Sequence, residues 1–196
     1  DEQGRATVAE LVDRNYYQAM AELCHQAGLE FHSEPVYGGS GPYPPLDILC
    51  SNAWCDLPMY EFWPNVDDES KTPAYRVGKT IFTGFPIESS LFTGKKIIGS
   101  EAYTGYAHFS DTPQLVAPFG NAAFCAGINQ MIMHSYVHQP LDRAPHLTLT
   151  GFFGGHYNRN NPWYNLARGW FDYQARIQYV LQKGQRVTDM LYYVGD

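Results

Sequence analysis

The sequence predicts an α/β fold of the (β/α)8 TIM-barrel type, of which this chain supplies about the second half as four β/α units. Two observations favour this fold. Helical segments alternate with short apolar runs, and a polar side chain follows each run. An open doubly wound sheet also places ligands at strand ends. It ranks second because the chain has no Gly-x-Gly-x-x-Gly or phosphate-loop motif.

The first predicted element is a helix over residues 7–27. Thr7 and Glu10 form a capping-box pattern, and Gly28 is a natural stop. The apolar residues recur at helical spacing and are expected to form one buried face: Val8, Leu11, Val12, Met20, Leu23 and Ala27. A short strand, Leu29–His32, follows and leads to Glu34.

The next two predicted strands also lead to carboxylates. The second strand lies near Ile48–Ser51 or closer to Cys55–Leu57, and the chain then reaches Glu61. The third strand, Lys96–Gly99, ends at Glu101. An unpaired charge costs several kcal/mol to bury, so we expect these side chains at the rim of the sheet rather than in its core.

The remaining elements complete four units. Helices are predicted over residues 75–93 and 118–128, and a fourth strand within residues 130–140 ends at His138 and Gln139.

The last predicted helix begins at Asn161 and Pro162, as cap and first position, and ends at Gly184. Its apolar stripe is expected to face the core: Trp170, Tyr173, Ile177 and Leu181. A strand is predicted over residues 187–194.

The length predicts an incomplete barrel. The chain has 196 residues, whereas a complete barrel takes about 250. Residues 1–184 are assigned to a partial barrel domain, and residues 185–196 to a strand leading into a following segment. Half a barrel leaves two open sheet edges, so we expect the missing N-terminal half of the same polypeptide to complete it.

The composition of the chain disfavours some kinds of binding partner and suits others. The net charge of −7 disfavours nucleic acid and anionic membranes, and no 18-residue apolar run predicts membrane insertion. Aromatic residues make up 15% of the chain, and they suit either sugar rings or a large aromatic core. The four cysteines form no zinc-binding pattern, and a Cys50–Cys55 disulfide is left open.

Three glutamates after strands are candidates for acid–base chemistry: Glu34, Glu61 and Glu101. Glycoside hydrolysis uses one carboxylic acid that protonates the leaving oxygen, and a carboxylate that acts as nucleophile or activates water. The alternative for each glutamate is a structural salt bridge. Neighbouring aromatic residues, and the lack of a basic residue close by, favour a catalytic role for Glu61 and Glu101, while the two readings of Glu34 are balanced.

Neutral polar residues near the later strand ends are candidates for binding sugar hydroxyls. They are His138 and Gln139, and in the following loop His156, Asn158 and Trp163. Helix capping accounts for only part of the polarity of that loop.

Five blocks in this order resemble the catalytic barrel of glycoside hydrolase family 106, the bacterial α-L-rhamnosidases: LEFHSEPVYGG, CDLPMYEFW, KIIGSEAYTG, MHSYVHQP and HYNRNNPWYNLARGWFDYQARIQYVLQKG. The resemblance covers nearly the whole chain. It implies an inverting glycosidase acting on plant or complex glycans, with calcium assisting sugar binding. It further implies that Glu61 is the general base, that Glu101 positions water, sugar or the metal, and that the acid lies on an earlier strand.

Two alternatives stay open. A non-catalytic carbohydrate-binding protein on a barrel scaffold would use the aromatic and amide side chains alone. A zinc-dependent hydrolase would use His134, His138 and His156, although their spacing matches no zinc motif. An oligosaccharide or glycoside substrate predicts a periplasmic or extracellular bacterial location.

Overall fold

A parallel four-stranded sheet organises the chain. The structure is a computed structural model that describes residues 2–35, 45–64, 84–105, 109–141 and 154–190. The strands are neighbours in chain order and all pair in parallel: β1 (His32–Ser33), β2 (Leu57–Glu61), β3 (Gly99–Ala102) and β4 (Gln130–Met133). Their carboxyl ends therefore lie at one edge of the sheet. This confirms the predicted α/β class with parallel strands.

The helix before β1 is longer and less regular than predicted. It comprises α1 (Glu2–Val12), a π-helical segment (Asp13–Gln18) and α2 (Ala19–Gln26). Thr7 lies inside α1, where its hydroxyl donates to the carbonyl of the residue four positions earlier over 2.9 Å. The predicted capping box is therefore wrong. The helix ends just before Gly28, which has a φ of +70°, as the sequence predicts.

The predicted apolar face of this helix is mostly exposed. Val8, Leu11 and Leu23 are 41, 52 and 59% exposed, and the residues that the helix buries are Tyr17 and Ala21. A π-helical turn takes up more residues than an α-helical turn because its hydrogen bonds run from i to i+5. The 3.6-residue spacing therefore loses its register within the segment, and a pattern counted across it does not identify the buried face.

The first placement of the second strand is wrong, because residues Ile48–Trp54 form a helix, α3. The carboxylate of Asp47 accepts a hydrogen bond from the backbone N–H of Cys50 over 3.0 Å and caps α3. The second placement adjoins β2. Cys50 is exposed, Cys55 is buried, and both are free thiols, so the disulfide left open by the sequence is not formed.

Two further helices precede β3 and β4. The helix α4 (Gly84–Thr93) covers the end of the helix predicted over residues 75–93, of which residues 75–83 lie outside the described ranges. The helix α5 (Pro113–Ala126) begins before the predicted start at Pro118 and is followed by Gly127, whose φ is +120°. In the described part of the chain, no helix is long and apolar enough to cross a bilayer.

The last helix, α6 (Arg168–Lys183), starts later than predicted. A 3-10 turn, Tyr164–Leu166, precedes it, so Asn161 and Pro162 do not cap it. It ends at Gly184 as predicted.

The predicted core stripe of α6 is only partly correct. Trp170 is half-buried, but Tyr173 and Leu181 are 41 and 38% exposed, and the buried residue is Gln174. Of the strand predicted over residues 187–194, residues 187–190 have no regular structure and the rest lie outside the described ranges.

The main core ties the end of β3 to the helices. Tyr103 follows β3 directly, and its ring contacts Phe62 and Trp170 with centroids 4.9 and 5.3 Å apart. Its hydroxyl donates to Oε1 of Gln174 on α6 over 2.8 Å. Gly120 on α5 leaves room for that hydroxyl, because an added Cβ would lie 1.9 Å from it. This packing holds the end of β3, which carries Glu101, in place.

Candidate active site

Three carboxylates meet at the carboxyl ends of β1, β2 and β3. Glu34 follows β1, Glu61 is the last residue of β2, and Glu101 lies one residue before the end of β3. Glu61 and Glu101 are direct partners in the register of their strands, so their side chains point to the same side of the sheet. One oxygen of each carboxylate lies within 4.8 Å of the other two. The structure thus brings together the three glutamates that the sequence singles out.

Burial and mutual repulsion disfavour three full negative charges in this cluster. Burial, and then the charges of Glu101 and Glu61, raise the pKa of Glu34 to about 7. Oε1 of Glu34 is buried and has no hydrogen-bond partner among the described residues. Near neutral pH, Glu34 is therefore divided between its neutral and charged forms.

The pKa of Glu61 is also raised. Burial is the largest cause, and the charge of Glu101 acts in the same direction. A hydrogen bond from the side chain of Trp63 and the charge of protonated His134 oppose this shift without cancelling it. A carboxylate whose pKa moves toward neutral is well suited to take a proton from water.

Glu101 contacts two side chains that the predicted site does not include. Nδ1 of His134 lies 2.9 Å from Oε1 of Glu101, and the hydroxyl of Thr104 donates to the same oxygen. Thr104 is buried, while His134 and Glu101 stay partly open to solvent. His134 and Thr104 therefore belong to the candidate site through their contacts with Glu101.

The end of β4 explains why the sequence placed His134 only in the zinc alternative and not among the strand-end residues of the predicted site. The sequence predicted that the fourth strand reaches His138 and Gln139, but β4 ends at Met133. His134 therefore holds the strand-end position expected of His138, which is exposed. The available signal was that His134 is the first polar residue after the apolar run Met131–Met133.

Gln139 and Asn158 lie in two loops that hydrogen-bond to each other. Oε1 of Gln139 accepts from the side-chain amide of Asn160 over 2.9 Å, and Oδ1 of Asn158 accepts from the backbone N–H of Asn160 over 3.0 Å. Arg159 donates to the carbonyls of Gln139 and Leu141 over 2.8 and 2.7 Å. Both Gln139 and Asn158 are buried. Their part in sugar binding, like that of His138, stays a prediction.

His156 and Trp163 lie among aromatic residues. The ring of His156 is fully buried and stacks on Phe109, with centroids 4.4 Å apart and an interplanar angle of 11°. Trp163 contacts Tyr157 and Trp170, at 5.9 and 6.2 Å between centroids, at the edge of the main core. Their predicted contact with a sugar is not tested by these packing contacts.

Within the described ranges, the one group of side chains that could hold a metal ion is the glutamate cluster. It offers three carboxylates and no histidine. His134, His138 and His156, the residues of the zinc alternative, are not members of such a group in this part of the chain.

An α/β protein with clustered carboxylates at the carboxyl ends of parallel strands has the architecture of many glycoside hydrolases. The sequence model of glycoside hydrolase family 106, described as alpha-L-rhamnosidase, matches residues 3–196. The chain belongs to this family, which confirms the resemblance seen in the sequence.

Two longer proteins are similar to the chain. The "Putative beta-glucuronidase" of Formosa agariphila is 34% identical over 194 residues, which make up 98% of this chain and 15% of that protein. A rhamnosidase of known structure from Novosphingobium sp. PP1Y is 26% identical with a TM-score of 0.77, over 92% of this chain and 17% of its own. The chain thus spans less than a fifth of the length of either protein.

Proposed function

We propose that the protein containing this chain is an inverting α-L-rhamnosidase that acts on plant or complex glycans. The observation that carries this proposal is the cluster of three glutamates at the strand ends of a family 106 chain. Hydrolysis of a glycoside by inversion needs carboxyl groups in two roles, an acid on the leaving oxygen and a base on water. The cluster supplies candidates for the second role.

Glu61 is the proposed general base. It takes a proton from a water molecule, and the water oxygen attacks the anomeric carbon while a carboxylic acid protonates the glycosidic oxygen on the opposite face. The two carboxyl groups of an inverting pair lie about 6.5–9.5 Å apart. Oxygens of Glu34, Glu61 and Glu101 approach within 4.8 Å, so the acid is expected to come from outside this cluster.

Glu101 is the proposed second carboxylate of the reaction. Its strand pairs in register with that of Glu61, and its carboxylate is close enough to share a water molecule or a sugar hydroxyl with Glu61. We propose that Glu101 orients either that water molecule or that sugar hydroxyl. Glu34 and the loop residues named above are proposed to contact the sugar.

The charge of the cluster favours a neutral deoxy sugar over a uronic acid. In the part of the chain that the structure describes, no Lys or Arg side chain forms an ion pair with Glu34, Glu61 or Glu101. A glucuronide would bring a further carboxylate close to these three negatively charged side chains, and an unpaired buried charge is costly. The name of the Formosa agariphila protein nevertheless makes β-glucuronidase the second candidate.

We also propose that the cluster binds calcium. Calcium prefers several oxygen ligands, and the carboxylates of Glu34 and Glu101 can supply some of them while Glu61 stays free to act as the general base. The buried Oε1 of Glu34, which has no partner in the described ranges, is available to a cation. The ion would neutralise most of the charge of the cluster, and three ionised carboxylates with one Ca²⁺ would still carry a net charge of about −1.

The wider setting follows from the same proposal. Parallel strands that are neighbours in chain order support a (β/α) barrel, of which this chain would supply about half. The rest of the polypeptide would supply the remaining strands and the acid. The proposed partner is a glycan substrate, and we propose neither a nucleic-acid partner nor membrane insertion. A glycan substrate favours action in the periplasm or outside the cell.

The test is the variant Glu61→Gln in the complete polypeptide. Glutamine keeps the size of the side chain but cannot take a proton from water, so hydrolysis of an aryl α-L-rhamnoside should be abolished while rhamnose binding persists. NMR of the first anomer released would test inversion. The matched control is Glu88→Gln, an exposed position on α4, which should hydrolyse the substrate at the wild-type rate.

Each other outcome has a clear meaning. Near wild-type turnover in Glu61→Gln would remove Glu61 from the mechanism. Faster hydrolysis by the wild-type protein of an aryl β-D-glucuronide would favour the second candidate. Binding of rhamnose without hydrolysis of either substrate would favour the non-catalytic carbohydrate-binding protein.

A further inference from the structure

One carboxylate oxygen of Glu101 contacts two neighbouring side chains, and these two side chains also contact each other. Nδ1 of His134 lies 2.9 Å from Oε1 of Glu101 and 3.2 Å from the hydroxyl oxygen of Thr104. The hydroxyl of Thr104 donates its proton in the hydrogen bond to Glu101, so its oxygen can only accept from His134. Nδ1 therefore faces two acceptor oxygens, and it must carry a proton to form favourable contacts with them.

The backbone of His134 is held on both sides. Its N–H donates to the carbonyl of Ala102 in β3 over 3.2 Å, and its carbonyl accepts from the N–H of Gly155 over 2.7 Å. Gly154 allows this close approach: its φ is +95°, and an added Cβ would lie 2.8 Å from the carbonyl oxygen of His134. These hydrogen bonds fix the backbone that carries the imidazole between β3 and the loop that begins at Gly154.

We propose that His134 is a positioning residue that fixes the orientation of the Glu101 carboxylate for the hydrolysis described above, an inference that rests on the proposed function. A donor at Nδ1 limits rotation of the carboxylate about its terminal bond. Without this donor, Glu101 has one side-chain hydrogen bond fewer and can turn away from Glu61. Side chains that orient the ligands of a metal site in this way typically contribute about 10–100-fold to activity, and Glu101 belongs to the proposed calcium site.

Two substitutions separate the hydrogen bond from the bulk of the ring. In His134→Asn, the side-chain amide places an N–H close to the position of Nδ1, whereas His134→Ala removes the donor. In the complete polypeptide, we expect kcat for the aryl α-L-rhamnoside to fall about 10–100-fold in His134→Ala with little change in KM. Most of the wild-type kcat should return in His134→Asn. The histidine control, His25→Asn on the exposed surface of α2, should leave kcat unchanged.

Equal losses in His134→Asn and His134→Ala, or no loss in His134→Ala, would overturn the proposal. Crystal structures give a readout that does not depend on activity: the Glu101 carboxylate should rotate or split in His134→Ala and keep its place in His134→Asn. A wild-type protein that hydrolyses neither glycoside would sink the proposed function, while these structures would still decide the role of His134.

A third variant covers a failure of His134→Ala to fold. Thr104→Val removes the second donor to Glu101 and keeps the shape of the side chain. Nδ1 of His134 then has Glu101 as its acceptor, so the 2.9 Å contact should persist in the crystal structure. Loss of that contact in Thr104→Val would show that His134 does not hold the carboxylate.

Discussion

If the glutamate cluster binds calcium as proposed, replacing Glu34 with glutamine should remove much of the proton release that accompanies that binding. Calcium binds carboxylates in their charged form. Burial and the neighbouring charges raise the pKa of Glu34 to about 7, so in the metal-free protein this carboxyl is still partly protonated at neutral pH. Binding of the ion must expel that proton, and apparent affinity should therefore rise with pH up to about pH 8.

The size of the effect follows from that pKa. A group with a pKa of about 7 is protonated in roughly 0.9 of the molecules at pH 6, about 0.5 at pH 7 and about 0.03 at pH 8.5. These fractions are the protons that Glu34 should release per calcium ion. The pKa of Glu61 is raised as well, so the contribution of Glu34 is the difference between the wild-type protein and Glu34→Gln.

Isothermal titration calorimetry measures this difference directly. The complete polypeptide is titrated with calcium at each pH in two buffers of different ionisation enthalpy, and the change in apparent enthalpy gives the number of protons released. Glu30→Gln is a matched control, because this exposed glutamate lies just before β1, and it should release as many protons as the wild-type protein.

Two results would refute the reasoning. Proton release that does not change between pH 6 and pH 8.5 would mean that no cluster carboxyl titrates in that range. Equal release in the wild-type protein and in Glu34→Gln would mean that the titrating group is another residue. Failure of calcium to bind at all would reject the proposed metal site.

Two further predictions concern the packing that supports the site. Gly120→Ala should destabilise the protein by about 1–3 kcal/mol, because the new methyl group would overlap the hydroxyl of Tyr103, whereas Gly169→Ala, in open space on α6, should stabilise it by about 0.5–1 kcal/mol. Asn129→Ala should cost about 2–3 kcal/mol, because the side chain of Asn129 accepts from the buried backbone N–H of Ile98 over 2.8 Å and would leave it without that partner. Thermal unfolding followed by circular dichroism measures each change.

A control and a contrary result accompany each of these variants. Asn121→Ala, on the exposed side of α5, removes one surface hydrogen bond to Tyr173 and should change stability by less than about 0.5 kcal/mol. A melting temperature of Gly120→Ala equal to that of Gly169→Ala would mean that the contact between α5 and Tyr103 is not tight. A similar result for Asn129→Ala and Asn121→Ala would mean that the start of β3 does not depend on the amide of Asn129.

The meeting of the three glutamates could be predicted because two simple rules agree. A short apolar run that leads directly to a carboxylate is costly inside a core, and the carboxyl ends of parallel strands share one edge of the sheet. Glu34, Glu61 and Glu101 satisfy both rules. Gly28 and Gly184 marked helix ends for an equally local reason, since glycine readily follows a helix.

The parts that could not be predicted depend on contacts distant in sequence. Residues Ile48–Trp54 are apolar over a short run, and such a run does not distinguish a strand from a helix. His134 and His138 both follow apolar residues, and only the pairing of β4 with β3 shows that the strand stops at Met133. The π-helical segment in the first helix moved the buried side chains to positions that a regular period does not mark.

The close approach at Gly154 matters to protein engineers. A mutant library built to alter the preferred sugar would naturally randomise this glycine-rich loop. At position 154, however, even the smallest added side chain would collide with the main chain of His134. Such libraries should keep this glycine and vary its more distant neighbours, because a displacement here would reach the carboxylate of Glu101 through His134.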